Sequence, residues 1–217
     1  MNPTTEIASS PRMDRRLWLG AAAGLTVAAA GGRRAGRRDG ESCSDDSQAR
    51  PAALKGRLKQ SVCHWCFEPM DLETLARNAA AMGIRSIELI PPKEWPILKK
   101  HGMICALSSS HSFVDGWCHK ENYAMCTAKV KESVDATAAA GFPSVITFSG
   151  FRKGLADDVG LENTVAGLKQ VIGYAEKKKV NLCLEVLNSR VAVEMKGHPD
   201  YMADKVEWAV EVCRRIG

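Results

Sequence analysis

Val180-Asn181-Leu182-Cys183-Leu184-Glu185-Val186-Leu187-Asn188-Ser189-Arg190 begins as a strand does and then breaks its own pattern. The run is apolar and β-leaning, and it follows Lys177-Lys178-Lys179, a basic cluster of the kind that closes a helix. Glu185 then interrupts it near its end. A carboxylate withdrawn from water without a partner is costly, so an acid here needs a metal, a base or a substrate to meet, or else a solvent-facing edge strand. In a parallel α/β protein the chemistry gathers at the C-terminal ends of strands, which is where Glu185 falls.

Working outward, the same rhythm repeats. Ser61-Val62-Cys63-His64-Trp65-Cys66-Phe67 predicts a first strand. Asp71 then caps a helix with Leu72, Leu75, Ala76, Ala79 and Met82 at helical spacing. Gly83 stops it, and Ser86-Ile87-Glu88-Leu89-Ile90 predicts a second strand closed by Pro91-Pro92. A short helix at Trp95–Leu98 ends at Gly102, and Met103-Ile104-Cys105-Ala106-Leu107 predicts a third strand. A helix over 121–140 carries an apolar stripe of Cys126, Val130, Val134 and Thr137, and Gly141 ends it.

Ser144–Phe148 predicts the fourth strand, and the stretch around Glu185 is the fifth. The helix between them starts at Asp157-Asp158 and presents Leu161, Val165, Leu168, Ile172 and Ala175. A last helix would bury Val206, Ala209, Cys213 and Ile216, with Arg214 and Arg215 in its final turn. Five βα units in succession argue for an α/β fold with a parallel sheet and crossover helices. A complete eightfold barrel takes about 250 residues. Residues 58–217 are therefore read as a partial parallel (β/α) TIM barrel, about the first five βα units of eight, in a truncated or fragmentary chain.

The 217 residues are 45% hydrophobic, enough for one substantial core. Of the +5 formal charge, most belongs to the N-terminal segment: residues 1–57 hold ten Lys/Arg and six Asp/Glu, leaving twenty and nineteen for 58–217. The near balance of the globular part, without a basic stripe, argues against a nucleic-acid partner. Within 1–32, Arg15-Arg16 precede the weakly apolar Leu17–Ala30, the pattern of a twin-arginine export signal. The expected location is therefore periplasmic or secreted, with Met13 a candidate start and no stable membrane span. Residues 33–57 lack periodicity and read as a linker. Several of the eight cysteines lie inside apolar runs, as buried reduced thiols do.

The segments Ser61–Cys66, Ile87-Glu88-Leu89, Trp95–Gly102, Val145–Gly150, Gly160–Asn163 and Leu184–Arg190 together resemble the hydroxypyruvate isomerase family of xylose-isomerase-like TIM barrels. The resemblance runs in order over essentially all of 58–217. It implies a metal-assisted isomerase that moves a proton between adjacent carbons of a small hydroxy-carbonyl compound, hydroxypyruvate to tartronate semialdehyde. Such chemistry needs an acid/base group near the carbon and a divalent cation on the oxygens. By the resemblance, Glu185 is the first catalytic glutamate, metal ligand and proton-transfer group, and oxygen ligands suit Mg²⁺ or Mn²⁺. The family's other ligands and second glutamate come from strands six to eight, so one carboxylate leaves the metal site of this chain incomplete.

The remaining candidates lie at a strand end and in loops. His111 follows the third strand and is a substrate contact; Glu88 ends the second strand and orients the site or bonds backbone. Asn188 and Arg190 follow Glu185 closely enough to line the same mouth, with His198 weaker. Lys120, Arg152 and Lys153 can hold a carboxylate or phosphate, or be solvated surface charges. Cys63-x-x-Cys66 as a redox pair and His111, Cys118, His119 and Cys126 as a zinc site are minor alternatives. A repair endonuclease on the same barrel and a non-catalytic or sugar-binding relative are the competing functions. Open edges on strands one and five would invite a homo-oligomer.

Overall fold

The structure, a computed structural model, describes residues 58–194 and 196–217. The expected export signal and linker lie outside the described residues. The regular elements are β1 (Ser61–Cys63), α1 (Leu72–Ala81), β2 (Ser86–Glu88), α2 (Trp95–Lys100) and α3 (Tyr123–Ala140). After them come β3 (Ser144–Thr147), α4 (Asp157–Leu168), α5 (Ile172–Lys177), β4 (Asn181–Leu184) and α6 (Val206–Ile216).

Every pairing within the sheet is parallel and follows chain order. β1 lies beside β2 with Ser61 opposite Ser86 and Cys63 opposite Glu88. β3 lies beside β4 with Ser144 opposite Asn181 and Thr147 opposite Leu184. The segment expected as the third strand joins the two pairs through bridges at Ser86–Ile104 and Ser108–Val145 rather than as a regular strand.

The reason is a change of face. Paired residues in a parallel ladder share a face, and alternate residues oppose. Ile87 packs into the helix-side core, so Ser86 and its neighbour Ile104 point the other way. Val145 packs on the helix side, and Ser108 goes with it. Residues 104 and 108 would share a face in an unbroken strand; here they do not, so the segment kinks between them. The ladder still closes on both sides, with Ile104 N–H donating to Arg85 O at 3.1 Å and Ile146 N–H to Ser108 O at 2.9 Å.

Helix boundaries follow the expected chemistry. Asp71 Oδ1 accepts the Thr74 N–H at 2.9 Å, an N-cap at the start of α1. Gly141 takes φ +74° at the end of α3, and Phe142 N–H then returns to Thr137 O at 2.9 Å. The expected stripe of Cys126, Val130, Val134 and Thr137 is fully buried. Two apolar clusters result. One joins α1, α2 and β2 through Leu75, Ala79, Ile87 and Leu98, with Trp95 edge-on to Phe142 at 5.0 Å between centroids. The other packs α3, α4 and α6 on β3 around Trp117, Val134, Val145 and Val165.

Three local expectations are corrected. The first strand stops at Cys63 because His64–Phe67 turn into a 3₁₀ helix, which places Cys66 off the strand and exposed. The single helix expected through Ile172 and Ala175 is two, since Gln170 and Val171 bond back to Gly167 and Leu168 in tighter three-residue turns. The last helix buries Trp208, Ala209 and Val212, whereas Val206 is 62% exposed and Cys213 is exposed. Trp208 sets that phase: its indole N–H reaches Asp157 O at 3.0 Å and carries the helix face with it. No helix among the described residues is long and apolar enough to cross a membrane.

Candidate active site

Glu185 follows β4 directly, and its N–H continues the ladder to Thr147 O at 3.0 Å. Leu184 belongs to the helix-side core, so alternation turns Glu185 to the opposite, barrel-side face. Glu88 ends β2 and, next to helix-facing Ile87, points to that same side. Two carboxylates from the second and fifth strand positions are thus brought to one face, at the strand ends.

Their environments differ. Glu88 Oε1 accepts the Ser61 hydroxyl at 2.5 Å, two residues along the same face of β1 from Cys63. The Glu185 carboxylate takes no hydrogen bond among the described residues. Burial pushes its pKa up, and the negative charge of Glu88 adds to the rise. The Cys183 thiol is raised as well, by burial first and by these two acids further down.

The backbone under Glu185 is held firmly. Tyr201 donates its hydroxyl to Glu185 O at 3.1 Å and accepts the Ser149 N–H at 3.2 Å. Burial pushes the Tyr201 phenol up to about 12, so it stays a donor. The Tyr201 loop is clamped by Arg152, which donates to Asp157 at 2.8 Å, to Asp204 at 2.9 Å, to Met202 O at 3.2 Å and to Tyr201 O. Arg152 is therefore a positioning residue with its donors already engaged. Pattern reading missed Tyr201 and Asp204, because nothing local marks a partner about fifty residues away in the chain.

His111 sits behind the strand ends, 8% exposed. Its Nδ1 faces Ser112 O at 3.0 Å and Asp115 O at 3.1 Å, and two acceptors there require the proton on that nitrogen. Nε2 then accepts from the Thr147 hydroxyl at 2.8 Å, and Thr147 Oγ1 accepts the Trp117 indole N–H at 2.6 Å. Burial lowers the His111 pKa, which keeps the ring neutral. His119 directs Nε2 to Phe151 O at 3.0 Å and Arg152 O at 3.1 Å.

Lys153 lies on the exposed rim. Its ammonium pairs with Asp115 at 2.8 Å, which raises its pKa, and its N–H bonds Asp200 Oδ2 at 2.8 Å. Asn188 is exposed and folds its own turn, with Oδ1 accepting the Arg190 N–H at 3.0 Å and Nδ2 donating to Lys196 O at 3.0 Å. Arg190 is exposed beside it. The structure thus brings Glu88 and Glu185 together on one face, buries His111, and leaves Lys153, Asn188 and Arg190 on loops.

Among the described residues no cluster of three or more His, Cys, Asp or Glu side chains is arranged to hold a metal. The two carboxylates nevertheless fit a hard divalent cation in kind, since Mg²⁺ uses one or two carboxylates with waters and substrate oxygens. A cation would also offset the Glu88 repulsion that adds to the burial-driven rise of Glu185. The seven described cysteines are free, and burial pushes the Cys118 and Cys126 thiols up to about 12, leaving them inert.

No protein-family model matches the chain, and no curated protein matches it. Solved structures do. An AP endonuclease, family 2, from Brucella melitensis superposes with TM-score 0.62 at 18% identity, over 74% of this chain and 65% of that one. A D-psicose 3-epimerase from Clostridium cellulolyticum H10, with D-tagatose, gives 0.56 at 14% identity, over 73% and 60%. A xylose isomerase-like TIM barrel/4-hydroxyphenylpyruvate dioxygenase fusion protein gives 0.55 at 14% identity, over 72% and 24%. The chain spans less than two thirds of the length of each. At such identities the likeness is one of fold, and the fold it shows is that of xylose-isomerase-like TIM barrels.

Proposed function

We propose that this chain carries the Glu185 half of a metal-assisted isomerase or epimerase site for a small hydroxy-carbonyl compound, with hydroxypyruvate to tartronate semialdehyde as the specific reaction. The observation that carries the proposal is the pair Glu88 and Glu185 at the ends of two strands on one face, with the Glu185 carboxylate free of hydrogen bonds among the described residues and raised in pKa. A carboxylate with elevated proton affinity is a better base toward a carbon acid near neutral pH than an ordinary one.

The steps follow from that. The Glu185 carboxylate takes the proton from the carbon beside the carbonyl, and the C–H electron pair becomes the C=C bond of an enediolate. Glu185 then returns the proton to the neighbouring carbon, while the hydroxyl proton on the first carbon passes to the oxygen of the former carbonyl, so that the first carbon becomes the aldehyde and the second the alcohol. Glu88, fixed by Ser61, and Glu185 would hold a divalent cation, which when bound stabilises negative charge on the substrate oxygens. Tyr201 and Arg152 keep the Glu185 backbone in place so that its carboxylate need not reorganise. Lys153 and Arg190, on loops, would attract the substrate carboxylate, Lys153 by giving up its pair with Asp115. His111 contributes by fixing the loop after the third strand position, with its neutral ring between Asp115 O and Thr147.

The test is interconversion of hydroxypyruvate and tartronate semialdehyde with Mg²⁺ or Mn²⁺, and of ketohexose epimers in parallel, by the chain and by Glu185→Gln. Metal-dependent turnover that Glu185→Gln abolishes supports the proposal. Turnover that survives Glu185→Gln, or that ignores chelation, overturns it.

A further inference from the structure

A cavity of about 380 Å³ opens on the helix side of the sheet, between α3 and the segments that follow β2 and the third strand position. It does not share a face with Glu185: Ser108 lines it, and Ser108 pairs with helix-facing Val145. Leu89, Pro91 and Pro92 form one side, with Trp95 beneath them in the first apolar cluster. Leu89 adopts φ +61°, an uncommon conformation for a bulky residue, and its N–H is tied to Leu107 O at 2.9 Å. That conformation turns the chain outward, away from the strand direction, at the edge of the cavity.

The polar lining consists mainly of hydroxyls: Ser109, Ser110, Ser133 and Thr137. Thr137 is completely buried, and its Oγ1 has no hydrogen-bond partner among the described residues. The charges on the lining are Lys129 and Glu132, joined to each other at 3.1 Å, so they cancel.

We infer that this cavity is a second binding site, taking a neutral polyhydroxy compound of monosaccharide size. The volume is at the small end of the range for ligand pockets, roughly 300–1,000 Å³. Aliphatic and proline surface on one side suits the C–H face of a sugar, and serine hydroxyls on the other suit its oxygens. The cancelled charge pair disfavours an anion, which would have to separate Lys129 from Glu132. The site is independent of the proposed chemistry at Glu185, from which the sheet separates it.

The experiment is an amide NMR titration of the full chain with D-glucose and D-fructose, with gluconate as the anionic counterpart. The expected result is saturable shifts at Ser109, Ser110 and Ser133, unchanged in Glu185→Gln. Binding weakens at least about tenfold in Ala136→Trp, which fills the cavity, and in Ser133→Leu, a milder change on the same lining. Absence of saturable shifts with both sugars, shifts confined to the surroundings of Glu185, tighter binding of gluconate, or unaltered binding in Ser133→Leu would each overturn the inference.

Discussion

Replacing Arg152 with methionine tests whether the loop beneath Glu185 is held by one guanidinium. The side chain is 18% exposed and donates to two carboxylates and two backbone carbonyls. The Asp157 carboxylate is 44% exposed, so solvent screening limits that pair to less than about 1 kcal/mol. Asp204 is only 15% exposed, and a hydrogen bond between charged partners there contributes about 1.5–3 kcal/mol. The carbonyls of Tyr201 and Met202 would be left to water, at some further cost. Arg152→Met should therefore lose about 3–4 kcal/mol, a large share of an ordinary domain's stability. Arg152→Lys keeps the charge but not the fork, and should lose about half of that. Urea unfolding reads this as a lower midpoint at unchanged slope.

The pH dependence has a definite sign. The Asp204 and Asp157 pKa values lie below their ordinary 3.8; for Asp204, hydrogen bonds from Ser189 and Arg152 overcome burial, and for Asp157 the Arg152 bond comes first. A depressed carboxylate stabilises the fold above its unfolded pKa, and that contribution is lost as pH falls through the folded value. Wild type should thus lose stability below about pH 4, and Arg152→Met should lose less over the same window. A variant within 1 kcal/mol of wild type at pH 7, or an acid profile unchanged by the substitution, would refute the clamp.

Two further substitutions address the scaffold. Thr147→Val strands the buried Trp117 indole N–H and leaves His111 Nε2 only the Phe148 N–H at 3.4 Å, and should cost about 1–3 kcal/mol, read from a denaturation midpoint. Gly116 packs its Cα against the Phe148–Gly150 backbone, where an added Cβ would overlap Gly150 N and Phe148 O and lie 2.5 Å from Ser149 C. Gly116→Ala should destabilise by about 3 kcal/mol, measured by thermal unfolding, because backbone cannot move aside as a side chain can.

Much of the fold was legible because it rests on local signals. Alternation and helical spacing located the strands at β2, β3 and β4 and the buried stripe of α3, and Asp71 and Gly141 marked helix ends. The third strand was legible only as an apolar run, since periodicity in Met103–Leu107 says nothing of a kink imposed by neighbours on two different faces. The last helix was read one position out of phase because Trp208, not the aliphatic residues, decides which side is buried. At the site, the acid near the end of an apolar strand was visible at once, whereas its surroundings were not. Tyr201 and Arg152 reach it through contacts made across the fold, and Ser61 becomes a partner of Glu88 only when β1 and β2 pair in register.

The proposed chemistry requires Glu185 to be a partly buried carboxyl that senses Glu88. Titration of the Glu185 side-chain carboxyl by ¹³C NMR, in the wild-type chain and in Glu88→Gln, measures this directly. The structure predicts a wild-type pKa above the ordinary 4.5, a lower value in Glu88→Gln that remains raised because burial is the larger cause, and a downward shift when Mg²⁺ is added. A Glu185 carboxyl that titrates at or below 4.5, indifferent to both Glu88 and the cation, would contradict it.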